Sequence, residues 1–585
     1  MNFVTYSRRA LLAAVLGSTA LLLGACSGGG DDAPPQSSAS VYVSAVTPEP
    51  VAQADASRFL AQASFGASMS AIDEVSADGY ARWMDEQFAM PAGSPHQNYL
   101  VAVAASLPAG ESPQDAHVMH AFWKQAATAP DQLRRRVGFA LSQIFVVSLT
   151  NDAVAEHKRG VASYLDMLGR EAFGNYRDLL EAVTLHPMMG LFLSHLRNQK
   201  ESGNRIPDQN YAREVMQLFS IGLHELNPDG TPVLAGGQPV ETYGQEDIVG
   251  LSRVFTGFSW AGPDTQNGRF FGSSNPAPDP NRDVLPMQAY PQFHSTLPKT
   301  FLGTTIPSQG SADPRASLRI ALDTLAAHPN VAPFFGRQLI QRLVTSNPSP
   351  AYVARVSQAF NAGRYTRRDF TAGTGRRGDL RATIAAVLLD EEARDRAKTA
   401  DPAFGKVREP VLRLAAWMRA FNSRSASGNY LLGVTDDAAT SLGQSAMRAA
   451  SVFNFYRPGY VPPNTAIAAA NLVAPEFQII HEVSVAGYAN FMRSIVQSGA
   501  GSNSPRDIQA DYAAELALAS DPARLIDRID LLLTYGTLSA ETRSAMLEAV
   551  NSVPINASNP NPGRQNRVYL AALFALSAPE FLVQK

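Results

Sequence analysis

Apolar residues recur at steps of three and four along most of the chain. Across 131–148, Leu133, Val137, Ala140, Leu141, Ile144 and Phe145 share one side of a 3.6-residue period, while Arg134, Arg135 and Gln143 fall elsewhere. That spacing predicts an amphipathic helix. The same pattern predicts helices over 175–185, 210–221, 314–327, 331–344, 380–389, 407–421, 475–496, 525–535 and 567–576. Asp131, Asp208 and Asp379 stand where a carboxylate can accept bonds from the free amides of a first turn. No long segment alternates as a half-buried strand would, and no fixed period marks a solenoid. The expected fold class is all-α, a large multi-helix orthogonal bundle.

One stretch interrupts the pattern. Residues 259–312 are rich in Pro, Gly, Asn and Asp and carry Trp260, Phe270, Phe271, Tyr290, Phe293 and Phe301. Loops this long inside a compact body are unusual and often functional. The insertion is expected to be a lid or recognition surface presenting Trp260, Tyr290 and Phe293, or else an ordered surface loop. A short hairpin between 288–293 and 300–306 is expected within it. The run Gly373-Thr374-Gly375-Arg376-Arg377-Gly378 matches GxGxxG, but 367–372 does not read as the buried strand a dinucleotide site needs. It is read as a turn before a helix capped by Asp379, so no nucleotide cofactor is expected.

The N-terminus departs from the rest. Arg8-Arg9 precede the apolar run 10–25, which is too short for a membrane span of about 20 residues and ends at Cys26, the one cysteine. This predicts a twin-arginine export signal over 1–25. Leu23-Gly24-Ala25-Cys26 resembles a bacterial lipoprotein box, which makes Cys26 a lipid anchor. Residues 26–52, with Gly28-Gly29-Gly30 and Pro34-Pro35, read as the lipidated cysteine and a flexible tether, and 53–585 as the helical body. The expected location is the bacterial periplasm or cell surface, held at the outer membrane. Without a second thiol the exported chain depends on burial rather than disulfides, and 585 residues at 45% apolar content allow a large core. Lys and Arg number 49 against 52 Asp and Glu, with no basic block that would track a phosphate backbone, so nucleic acid is not an expected partner.

Candidate chemistry lies among the histidines. His117 and His120 are three apart on a predicted helix, a spacing that suits a shared metal and also suits two surface residues. A denser set lies between 186 and 224: His186, His195, Asn198, Asp208, Asn210, Arg213, Glu214 and His224. His195, Arg213 and Glu214 are the candidate acid–base residues. His186, His195, Glu214 and His224, joined by His294 from the insertion, are the candidate ligands of a divalent metal. The same residues can equally form a buried ion-pair network that fixes helix register. His186-Pro187 and His328-Pro329 look alike, as do 474–477 and 578–581, either as traces of duplication or as shared helix-entry chemistry.

Several unlike segments, in order, carry a family resemblance. They are Arg58–Gly66 (RFLAQASFG), Leu133–Ser142 (LRRRVGFALS), Asn210–Phe219 (NYAREVMQLF), Phe255–Trp260 (FTGFSW), Val407–Pro410 (VREP), Ser451–Pro458 (SVFNFYRP) and Pro579–Phe581 (PEF). Together they resemble the large bacterial family of unknown function DUF1800. The resemblance implies an exported, largely helical protein whose gene commonly neighbours that of a second exported family similar to sulfatases and phosphatases. It implies no reaction and transfers no catalytic residue. Two roles are therefore expected. One is a lipid-anchored cell-envelope binding or assembly partner of that companion protein or of an extracellular polymer. The other is a metal-dependent periplasmic hydrolase using the His/Glu set with His294.

Overall fold

Side-chain caps and prolines set many of the helix starts. Asp313 accepts from the Ala316 amide at 2.9 Å and Pro314 occupies the first turn, so the helix Pro314–Ala327 begins and ends where the periodicity places it. Asp379 accepts from the Ala382 amide at 3.1 Å and starts Leu380–Leu389 in the same way. In the computed structural model, which describes residues 42–585, helices dominate. The strands among the described residues are short and form two-stranded antiparallel pairs. The fold is a mostly-α multi-helix assembly. Residues Val43–Lys585 form one compact unit around a continuous apolar core that runs from Val46 to Phe581. No helix of the described residues is long and apolar enough to cross a membrane. The expected export signal over 1–25 and Cys26 lie outside the described residues.

Where helices depart from the periodic reading, polar and backbone chemistry is the reason. The 131–148 segment is helical only over Gln132–Ser142. Asp131 does not cap it, because its carboxylate accepts from the Gly93 amide at 3.0 Å and from Arg135 Nε at 3.2 Å. The polar side of this helix is buried too: Arg134, Arg135 and Arg136 donate to the carbonyls of Met90, Ser94 and Arg342. The 210–221 segment starts as α-helix Asn210–Glu214 and widens into a π-turn, Val215–Ser220. The 475–496 segment splits into the 3₁₀ turn Pro475–Ile479 and the helix Glu482–Ser498. In 407–421 the helix is Pro410–Ala420, and Lys406–Val407 instead pairs with Val583–Gln584.

The insertion and the tether also differ from expectation. The pairing of 288–293 with 300–306 does not form. Gln288–Ala289 pairs with Phe258–Ser259, which closes the insertion onto its own entrance, while Lys299–Phe301 pairs with Thr304–Ile306. The glycine-rich run follows a short strand, Phe370–Ala372, in a hairpin with Tyr365–Arg367 rather than in a parallel sheet. Its Thr374 amide and hydroxyl both donate to Asp379, each at 2.9 Å. The last part of the assigned tether is packed. Gly79, at φ 79°, kinks the helix Met69–Ala89 and frees carbonyls that accept from the extended residues before it: Glu49 N to Asp78 O at 3.1 Å and Val51 N to Ser76 O at 2.9 Å. The compact unit therefore includes Val43–Ala52, residues assigned to the tether by sequence.

The insertion is clamped against helix Gln245–Val254 at Gly250. A Cβ added there would stand 1.7 Å from the Thr300 carbonyl oxygen. Gly to Ala inside a helix ordinarily stabilises by about 1 kcal/mol. Here the sign should reverse, with Gly250→Ala lowering stability by about 2 kcal/mol or more as the strand is pushed off the helix. Urea denaturation measures this, and a raised midpoint would refute the clamp.

Candidate functional site

The helix Val331–Leu343 has two useful faces. Val331, Phe335, Leu339, Ile340 and Leu343 are buried in the core. Phe334, Arg337, Gln338, Gln341 and Arg342, spaced by three and four, form one wall of an open cleft of about 460 Å³. The other walls are Gln143 and Ile144 at the end of helix Gln132–Ser142, Gln217 and Leu218 on the π-turn, the 222–230 loop, and Val452, Phe453, Pro458 and Gly459. Most of this surface is apolar, with four glutamine amides and two arginines set into it. The π-turn matters locally, since its extra residue per turn rotates Gln217 and Leu218 relative to Tyr211 and Val215, which remain in the core.

Behind the Gln143 and Arg342 wall lies a buried charge network. Lys406 Nζ meets Glu476 at 3.0 Å, and both side chains are almost fully buried. Glu409 accepts from Gln143 at 2.6 Å and from Gln444 at 2.7 Å. Arg136 and Lys406 both donate to the Arg342 carbonyl, at 2.6 and 3.1 Å, and Arg342 Nη2 donates to the Gln143 carbonyl at 2.8 Å. Burial lowers the pKa of Arg136 and Arg342, opposed by Glu409, Glu476 and Tyr456. Burial raises that of Glu476 against the pull of Lys406. Burial, then Glu409, holds the Tyr456 phenol well above its ordinary value. Several atoms here have no hydrogen-bond partner: Arg136 Nε and Nη1, Arg342 Nε, Gln143 Oε1, Gln338 Nε2, Glu409 Oε1 and Glu476 Oε2.

The histidine set is not gathered into a centre. No group of three or more His, Cys, Asp or Glu placed to hold a metal occurs among the described residues. His195 is buried, stacked on Tyr211 at 3.9 Å, with Nε2 donating to the Thr184 carbonyl at 2.8 Å and Nδ1 unpartnered. His186 accepts the Met188 amide at 3.3 Å and caps Pro187–Phe192. His328 accepts the Asn330 amide in the same manner at 3.2 Å, so the His-Pro likeness is one of helix-entry chemistry. His294 donates through Nδ1 to the Thr256 carbonyl at 2.8 Å, and its Nε2 lies 3.1 Å from Ser317 Oγ. His224 alone of the five reaches the cleft, exposed at its mouth. Glu214 is buried, and desolvation raises its pKa against the pull of exposed Arg213. His117 accepts the Gln114 amide, and His120 Nδ1 lies 3.3 Å from the Tyr99 hydroxyl.

The aromatics considered for recognition pack the insertion together. Tyr290 is fully buried and donates to the Trp260 carbonyl at 2.6 Å. Trp260 is buried beneath the Arg282 guanidinium, and Phe293 stacks on Phe270 at 3.9 Å. These rings substitute for regular secondary structure in holding the loop together. None of residues 259–312 lines the cleft. The cleft and network residues Gln338, Gln341, Arg342, Lys406, Glu476 and Arg337 were not among the candidates. Arg136, Glu409 and Tyr456, however, lie inside segments that carry the resemblance.

The fold and this interior define a mostly helical protein with an open polar–apolar cleft above a buried charge network. The family model described as "Protein of unknown function (DUF1800)" matches residues 58–583, and the chain belongs to that family. The chain has no match among curated proteins or solved structures.

Burial of the imidazoles has a consequence for acid stability. Burial lowers the pKa of His186 to about 3, and of His195, His294 and His120 to about 4. These rings stay neutral when folded and gain protons once unfolded below about pH 6.5. Their contribution is intact above that value and lost as pH falls towards about 4, on the order of 3 kcal/mol for His195 at the limit. The urea midpoint should drop between pH 7 and pH 5, with a shallower drop in His195→Gln. Equal midpoints at both pH values would refute it.

Proposed function

We propose that this chain is an exported, lipid-anchored binding protein of the cell envelope, and that its ligand sits in the cleft faced by Val331–Leu343. The observation that carries this reading is the cleft itself. It is open, about 460 Å³, largely apolar, and studded with amides and guanidinium groups suited to binding and orienting. The ligand is a part of an extracellular polymer or of a companion exported protein. Cys26 carries the lipid, and the segment between it and Val43 sets the reach from the membrane.

Two experiments bear on this. Radiolabelled palmitate should appear on the wild-type product and not on Cys26→Ser, and the variant should leave the membrane pellet. Equal sedimentation of both would sink the anchor. A photo-crosslinking residue placed in living cells at Leu223, exposed on the cleft, should give an adduct that the same residue at exposed Val485, outside the cleft lining, does not. Absence of an adduct at 223 would overturn the cleft as the binding site.

A further inference from the structure

The cleft lining has an unbalanced charge. Among the described residues it includes Arg337, Arg342 and His224 and no Asp or Glu. Arg337 opens to solvent through the mouth, yet protein surrounds it closely enough that burial lowers its pKa. Among the described residues its guanidinium has no hydrogen-bond or ion-pair partner. An arginine at the mouth of a largely apolar cleft without a counter-ion has up to five donors open to an acceptor from outside the protein. Beneath it, Gln338 Nε2 and Arg342 Nε have no acceptor among the described residues and are sealed from solvent, so they add positive potential to the wall without meeting the occupant themselves. Unused donors therefore outnumber the one unpartnered acceptor in the wall, Gln143 Oε1.

The interior behind the wall does not cancel this charge. Arg136, Arg342, Lys406 and Arg413 lie within electrostatic range of Glu409 and Glu476, so cations outnumber carboxylates. Around the donors the surface is apolar, formed in part by Phe334 and Phe453. An acceptor-rich anionic head beside an apolar body satisfies both features, whereas a cation would be repelled by the guanidinium and a neutral sugar would accept its hydrogen bonds without compensating its charge.

The geometry points to an amphiphilic anion as the occupant: an oxyanion head, carboxylate or sulfate, on the exposed Arg337 guanidinium, and an apolar body along Phe334 and Phe453. This rests on the cleft being the binding site, and it names the chemical class of the ligand.

The test is calorimetry on the full chain carrying Cys26→Ser, titrated with octanoate and octyl sulfate, with octan-1-ol and inorganic sulfate as controls. Both amphiphilic anions should bind at least about tenfold tighter than either control. The stronger of the two then identifies whether carboxylate or sulfate is preferred. Arg337→Gln should weaken both anions about tenfold and leave octan-1-ol unchanged, with no loss of melting temperature because Arg337 holds no partner among the described residues. Arg337→Lys should recover part of the affinity. Anions that bind no better than octan-1-ol, or equally well to Arg337→Gln, would overturn the proposal. If that failure came with a Leu223 adduct in cells, the anionic ligand would be wrong and the cleft would stand; without the adduct, both readings would fall.

Discussion

The burial of several charges in one place is the constraint on which this fold turns. Lys406, Glu476, Glu409, Arg136 and Arg342 come from segments spread over 340 residues of sequence, and each is nearly sealed from water. Taking such groups out of water costs several kcal/mol apiece unless each finds a partner, and removing one member of a buried pair typically costs about 3–5 kcal/mol. The cost becomes a specification. Helix Gln132–Ser142 must present Arg136 to the end of Val331–Leu343, and the strand at Lys406–Val407 must bring its amine to the turn Pro475–Ile479. The C-terminal strand Val583–Gln584 seals that arrangement by pairing with Lys406–Val407, and Gln584 donates to the Leu343 carbonyl at 2.8 Å.

The cleft follows from the same constraint. Arg342 and Gln143 belong to both, each lining the cleft and bonding into the network. The Arg342 side chain is tied to the Gln143 backbone by the Nη2 bond to the Gln143 carbonyl, which holds this wall against an inward collapse that would fill the space with apolar side chains. On the opposite side the π-turn Val215–Ser220 keeps Leu218 and Gln217 at the surface of the cleft while Phe219 and Met216 enter the core. The opening is thus supported from behind by charge pairing and from the side by a local change of helix pitch.

Much of the helical frame was legible because apolar periodicity reports core faces directly. Pro314–Ala327 and Leu380–Leu389 agree to the residue, where an aspartate and an apolar stripe coincide. Periodicity says nothing about where a polar face goes. Arg134, Arg135 and Arg136 look like surface residues in sequence, and their partners are carbonyls 35 to more than 200 positions away that no local pattern encodes. The histidine set between 186 and 224 was close in sequence but is spent separately: His186 on a helix start, His195 on Tyr211 and Thr184, His224 at a loop. The packing of the insertion's aromatics was hidden for a related reason. A loop without regular hydrogen bonding must find its core somewhere, and Tyr290, Trp260 and Phe270 are that core.

The family segments then acquire a physical reading. Leu133–Ser142 supplies Arg136, Val407–Pro410 supplies Glu409, and Ser451–Pro458 supplies Tyr456 and part of the cleft rim, so these dispersed stretches meet at the network. Arg337 lies in none of them. The groups that fix the geometry of the opening and the group placed to select its occupant are therefore separate in sequence. The first set cannot change singly without stranding a buried charge. Arg337, which bonds to nothing among the described residues, is free of that restriction. One supporting interior can accordingly carry openings of the same shape with different ligand preferences, decided on the exposed face of a single helix.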